Sequence, residues 1–152
     1  MAKIALFPGS FDPFHKGHRY VVNAALQIFD EVYVCVAINP NKKGYFEHAA
    51  RLSMIEAVFK DEPRVKVIST HGLVYQKAQE IGATCIVKGS RNGNDFTDEV
   101  AQADLNWKLG KIPTIVIPTP HELSFISSTA IRSILQTGHD SSLIKDMMCY
   151  IS

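Results

Sequence analysis

Lys3-Ile4-Ala5-Leu6-Phe7-Pro8-Gly9-Ser10-Phe11-Asp12-Pro13-Phe14-His15-Lys16-Gly17-His18 reads as an apolar strand, a turn bearing glycine and proline, and the opening of a helix. The helix is marked by Val21, Val22, Ala25, Ile28 and Phe29, spaced three and four apart so that they form one apolar stripe. Lys16, Arg19 and Gln27 leave the rest of its surface solvated. A second apolar run, Glu31 to Ile38, follows it. Strand, amphipathic helix and strand make a βαβ unit, whose crossover places the two strands parallel. The alternation continues outward. Strands are expected over Val65 to Ser69, Thr84 to Val87 and Thr114 to Ile117. Helices are expected around Leu52, Ile55, Val58 and Phe59, over Leu73 to Ile81, and over Asp95 to Leu109 with Gly110 ending the last. No repeat, low-complexity tract or linker interrupts the pattern. The fold class expected is α/β: one domain, 1–152, with an open five-stranded parallel sheet and helices on both faces.

Composition narrows the function. Of 152 residues, 46% are hydrophobic and 20% charged, which excludes a disordered or fibrous chain. Sixteen Lys plus Arg against 15 Asp plus Glu give a net charge of +1, so no global basic field favours nucleic acid and any anion site is local. Cys35, Cys85 and Cys149 are few, distant and odd in number, which argues against a disulfide framework and for a reducing compartment. The start of the chain lacks the apolar core of a signal peptide, and no run of 18 apolar residues suggests a membrane span. A cytoplasmic protein without a membrane partner is expected.

In open parallel sheets, ligands bind beyond the carboxyl ends of the strands. After the first strand, a helix start with unpartnered amides and a positive dipole end offers a phosphate site. Neither GxxxxGK[ST] nor GxGxxG is present, so histidine and main chain would hold the phosphate instead of a wrapped glycine loop. By themselves, His15 and His18 read equally as a surface pair or half of a metal site. Asp12 reads as a turn or capping residue, or as a participant in chemistry.

With its surroundings, His15-Lys16-Gly17-His18 resembles the HxGH motif of a nucleotidyltransferase superfamily of Rossmann-like fold, and the chain is similar to the bacterial phosphopantetheine adenylyltransferases. Pro8-Gly9-Ser10-Phe11-Asp12-Pro13 resembles that family's opening motif and Ile126-Ser127-Ser128-Thr129 its closing one. The resemblance implies transfer of the adenylyl group of ATP to 4′-phosphopantetheine, with Mg²⁺ and release of pyrophosphate. It implies that Ser10 touches both substrates, that His18 stabilises the transferring phosphate in the transition state, and that His15 only supports. Phe11, Gly89, Ser90, Arg91, Glu99 and the segment Leu123, Ser124, Phe125, Ile126, Ser127, Ser128 and Thr129 would line the ATP site. Lys42, Leu73, Val74, Lys88 and Asn106 would hold the acceptor. No residue is assigned to a metal. Family members form homohexamers, which the resemblance carries over as an expectation.

Each of these residues also has a plainer reading. Lys42 and Lys43 read as solvated loop charges, Arg91 and Glu99 as a surface ion pair, and Asp95 as a helix cap. Leu73 and Val74 read equally as core, one or two of the three hydroxyls at 127–129 as caps, and Trp107 as packing. The chain departs from the family pattern at Lys88, where the family has arginine, at Ser90, where it has leucine, and near Leu123, where it has an aromatic residue. Cys149 and the tail Asp140 to Ser152 match poorly and carry no assigned function. A nicotinate or nicotinamide mononucleotide adenylyltransferase and a non-catalytic nucleotide-binding module are the alternatives, with a cytidylyltransferase further off. Lys42, the Lys88–Arg91 turn, Glu99 and Asn106 follow the phosphopantetheine pattern rather than the mononucleotide one.

Overall fold

The computed structural model describes residues 2–138 and 141–149. Five strands, β1 (Ile4–Gly9), β2 (Glu31–Ala37), β3 (Val65–Thr70), β4 (Cys85–Ser90) and β5 (Thr114–Pro118), form one parallel sheet in the order β3-β2-β1-β4-β5. Six helices accompany them: α1 (Lys16–Ala25), α2 (His48–Val58), α3 (Val74–Ile81), α4 (Gly93–Gly110), α5 (Ser128–Thr137) and α6 (Ser141–Met147). The expected open parallel sheet is therefore present. Val21, Val22 and Ala25 of α1 and Ile55 of α2 pack on one face with Ala5, Phe7, Val34 and Val87. Ala78 of α3 packs on the other with Leu6, Cys35 and Ile86, so helices do cover both faces. Residues along β1 to β4 divide between the two clusters, as the two-residue period of a strand requires. A third cluster, of Ile126, Ile131, Met147 and Met148, joins α5 to α6.

Two strands run more than one residue further than the sequence suggests. β1 continues through Pro8 to Gly9, and β4 through Lys88 to Ser90. β1 lies beside β2 along its whole length, but it pairs with β4 only at Ala5–Cys85 and Leu6–Ile86. Pro8 has no N–H to give to β4, so the ladder cannot continue, and the two strands part at their carboxyl ends. The Lys88 ammonium spans the gap, donating to the Pro8 carbonyl at 3.3 Å. The chain order also reverses between β1 and β4, which is where such sheets place their ligands.

The helix ends differ in detail. α4 runs through Gly110, where the ring of Tyr75 from α3 leaves no room for a side chain, and the left-handed capping residue is Lys111 at φ 56°. Trp107, expected to pack, is half exposed with the Lys111 ammonium 5.4 Å above its ring. The cysteines are free. Burial raises the Cys35 and Cys149 thiols to about 11, which leaves them unreactive. Among the described residues, no helix is long and apolar enough to cross a membrane.

Candidate active site

Where β1 and β4 part, a cavity of about 340 Å³ opens between Pro8 and Gly9 on one side and Lys88 and Gly89 on the other. Residues at the starts of α1, α4 and α5 all line it. Three helix N-termini at one cavity concentrate positive potential there, although the net charge of the chain is only +1.

The start of α1 shows why the motif is His-x-Gly-His. His15 is the N-cap, its Nδ1 accepting from the Gly17 amide at 3.0 Å, while the Nδ1 of His18 accepts from the His15 amide at 3.1 Å. The two rings stack at 3.7 Å between centroids. A Cβ on Gly17 would lie 2.9 Å from the His15 ring, so only glycine lets the imidazole fold back over the helix start. The pair is therefore a reciprocal cap, and Asp12, read as a possible cap, is not part of it. Phe7, Phe11 and Phe14 surround His18 at centroid distances of 4.9–6.2 Å, which desolvates it. Burial, and then the charges of Lys88 and Arg91 along with His15, hold its pKa well below the usual 6.5. A neutral imidazole that accepts at Nδ1 carries its proton on Nε2. His18 therefore offers the cavity a fixed neutral donor.

His15 is likewise neutral, pushed down to about 4 by burial and then by Arg91. The unfolded chain takes up these protons near pH 6.5 and the folded chain refuses them, so stability is full above that pH and falls as pH drops from 6.5 toward 4. Each refused proton contributes a slope of about 1.4 kcal/mol per pH unit. Urea unfolding across that interval should show the slope, and His15→Gln should remove one proton's share of it; an unchanged slope in the variant would contradict the assignment.

The start of α4 supplies charge. Asn92, and not Asp95, is the N-cap, accepting from the Asp95 amide at 2.9 Å. The Asp95 carboxylate instead accepts from the Arg91 amide and guanidinium at 2.9–3.3 Å, fixing the direction of Arg91 along the cavity wall. One turn on, Glu99 faces Lys88 at 3.5 Å, with both side chains only 17–20% exposed. Burial raises the Glu99 pKa, and the neighbouring Lys88 opposes that rise. Gly89 lines the cavity too, whereas the Ser90 side chain is buried and donates to the Asn92 carbonyl at 2.9 Å.

At the start of α5, Ser127 is the N-cap, accepting from the Ala130 amide at 3.0 Å. The Ser128 hydroxyl donates to the Pro13 carbonyl and the Thr129 hydroxyl accepts from Arg132, which also donates to the Asp12 carbonyl at 2.8 Å. Ser127, Ser128 and Thr129 all line the cavity, as do Arg132 and Thr119. Of the segment before them, Leu123 and Ile126 pack in the third apolar cluster, Ser124 donates to the His121 carbonyl, and Phe125 stands half exposed.

A second cavity, about 470 Å³, shares Ser10 and Arg132 with the first and carries Lys42 and Lys43. Phe11, placed on the ATP side by the sequence, lines the first cavity with a ring buried against Phe7 and Phe14. Leu73 is the half-exposed N-cap of α3, Val74 packs on the second apolar cluster, and Asn106 sits on α4; none of these three lines either cavity. The sequence reading missed Thr119 and Arg51. Arg51 carried a legible signal, because it stands four residues before Ile55 on the buried stripe of α2.

Residues 6–134 match the family model described as cytidylyltransferase-like. A phosphopantetheine adenylyltransferase of Porphyromonas gingivalis is 42% identical over 139 residues, 91% of each chain. One of Phocaeicola vulgatus is 47% identical over 136 residues, 90% of each. Among solved structures, a bifunctional NMN adenylyltransferase/ADP ribose pyrophosphatase of Francisella tularensis, complexed with AMP and a manganese ion, superposes with a TM-score of 0.70 at 21% identity. That match covers all of this chain and 46% of the other, and it shows the shared fold. The split strands, the histidine cap, the triple hydroxyl start of α5 and these similarities agree: the chain belongs to the cytidylyltransferase-like family and, within it, to the phosphopantetheine adenylyltransferases.

Proposed function

We propose that the protein transfers the adenylyl group of ATP to 4′-phosphopantetheine, giving dephospho-coenzyme A and pyrophosphate. The observation that carries this reading is the neutral His18 donor, held beside Lys88 and Arg91 in the crevice between β1 and β4. In-line attack of one phosphate on another needs little acid or base, because the nucleophile is already an anion. It needs alignment and donors aimed at the developing charge. A neutral donor suits this chemistry, since it can follow charge onto the equatorial oxygens without binding the ground state as tightly as a cation would.

Arg91 and the hydroxyls of Ser127, Ser128 and Thr129 serve the triphosphate, Lys88 and Lys42 the acceptor phosphate, and Ser10, which borders both cavities, lies where the two meet. Mg²⁺ supplies charge neutralisation as the counterion of the triphosphate. Among the described residues no three His, Cys, Asp or Glu side chains converge. The names of the similar curated proteins favour phosphopantetheine over a mononucleotide as acceptor. A cytoplasmic location and a homohexamer, the latter carried over from the resemblance, complete the proposal; the half-exposed Phe96, Val100, Leu105 and Leu109 on α4 support contact with other copies of the chain.

Pyrophosphate release measured with ATP and either 4′-phosphopantetheine or nicotinate mononucleotide tests the reading. Turnover with the first acceptor alone is expected, and turnover only with the mononucleotide would overturn it. In the same assay Arg91→Ala should weaken ATP binding about tenfold, the low end for a charged hydrogen bond because the guanidinium is partly solvated. Calorimetry showing intact ATP affinity with lost acceptor affinity would exchange the two half-sites.

A further inference from the structure

The loop between β2 and α2, 38–47, brings Lys42 to the second cavity, and its hold on the rest of the molecule is unusual. Its first half is a local turn, with the Asn41 amide donating to the Asn39 side chain at 2.9 Å and the Lys42 amide to the Asn39 carbonyl at 3.1 Å. Its second half is gripped by two charged side chains that are 92–94% buried, Asp12 of the β1–α1 turn and Arg51 of α2. The Asp12 carboxylate accepts from the Tyr45 amide at 2.7 Å and the Phe46 amide at 2.8 Å. The Arg51 guanidinium donates to the Phe46 carbonyl at 3.1 Å and, through its other arm, to the Ser10 carbonyl at 2.9 Å. Gly44 lies between them. A Cβ there would stand 3.0 Å from Asp12 Oδ2, 3.1 Å from Arg51 Nη2 and 3.2 Å from the Phe46 carbonyl, so a side chain at 44 would make these groups give by a few tenths of an ångström.

Buried charges are costly to desolvate, and these two do not form an ion pair with each other. Each is used instead on main-chain groups, and together those groups belong to just two segments, the Lys42 loop and the turn that carries Ser10. We propose that Asp12, Gly44 and Arg51 form a latch that fixes the Lys42 ammonium relative to Ser10 and so sets the alignment of the acceptor phosphate. Arg51 is a positioning residue, with Lys42 as the group through which it acts. The latch rests on the reading of Lys42 as an acceptor-phosphate residue.

The test is a double-mutant cycle on the full-length enzyme, with 4′-phosphopantetheine KM, kcat and calorimetric ATP affinity measured for Lys42→Ala, Arg51→Lys and the pair. Arg51→Lys keeps the charge but loses the rigid fork that reaches the two carbonyls from separate nitrogens. It should raise acceptor KM roughly tenfold, the loss of about one charged hydrogen bond, while ATP affinity stays near the wild type's. In the Lys42→Ala background the same change should add less than about twofold, because the group it positions is gone. Losses that multiply, or an equal loss of ATP affinity, would overturn the latch and leave the proposed function standing. A normal acceptor KM in Lys42→Ala would instead remove the reading on which the latch rests. Gly44→Ala repeats the cycle from the loop side and decides the question if Arg51→Lys lowers the folded fraction.

Discussion

Replacing His18 by alanine is expected to lower kcat by about 10² to 10³, roughly 2.7 to 4 kcal/mol, with ATP affinity little changed. The size of the effect follows from how the imidazole is held. Its Nδ1 is committed to the His15 amide, its plane is fixed by stacking on His15, and three phenylalanine rings exclude water around it. Its remaining donor therefore pays no reorganisation cost when charge develops on the transferring phosphate, whereas water filling the alanine cavity would have to reorient. Because the ring is neutral, its pull on the already charged ground state is modest, and most of the loss should fall on the transition state. The cap complicates the variant, since His15 would lose its partner. Circular dichroism must accompany the kinetics to show that α1 persists. Normal turnover in a folded variant, or an ATP affinity reduced in proportion to the rate, would sink this role.

The sheet was legible because its strands are buried apolar runs separated by helices of clear period, and because parallel strands need such crossovers. The carboxyl ends of β1 and β4 were not legible. Proline at 8 and lysine at 88 are poor strand residues, yet the proline sits where the pairing of two neighbouring strands has ended and the lysine spans the crevice between them. The residues nearest the motifs, His18, Arg91, Glu99 and 127–129, line one cavity. What sequence alone could not supply was direction. His15 and Asn92 turn out to cap, Asp95 to steer an arginine, and Asp12 to reach 33 residues along the chain to a loop amide. Leu73, Val74 and Asn106 rest on resemblance alone, and neither cavity includes them.

Lys88→Ala should reduce acceptor kcat/KM by roughly 10², near the upper end for a hydrogen bond to a charged group. Lys88 is one-fifth exposed, so its attraction for a phosphate is screened less than that of a surface lysine. It also faces Glu99, whose desolvated carboxylate has the Lys88 ammonium 3.5 Å from Oε2. Removing the ammonium leaves that carboxylate opposite the acceptor phosphate, which adds like-charge repulsion to the lost attraction. Two consequences separate this account from simple damage to the crevice. Lys88→Arg restores a cation, with a planar fork able to bond the Pro8 carbonyl and a phosphate oxygen together, so it should use the acceptor nearly as well as the wild type. Glu99→Gln added to Lys88→Ala should recover part of the lost acceptor use, because it removes the repulsion without restoring the attraction. Steady-state kinetics with 4′-phosphopantetheine varied at saturating ATP measures all four proteins. An unchanged acceptor KM in Lys88→Ala would move the acceptor phosphate away from β4. A double variant no better than Lys88→Ala would show that Glu99 does not sense the acceptor's charge.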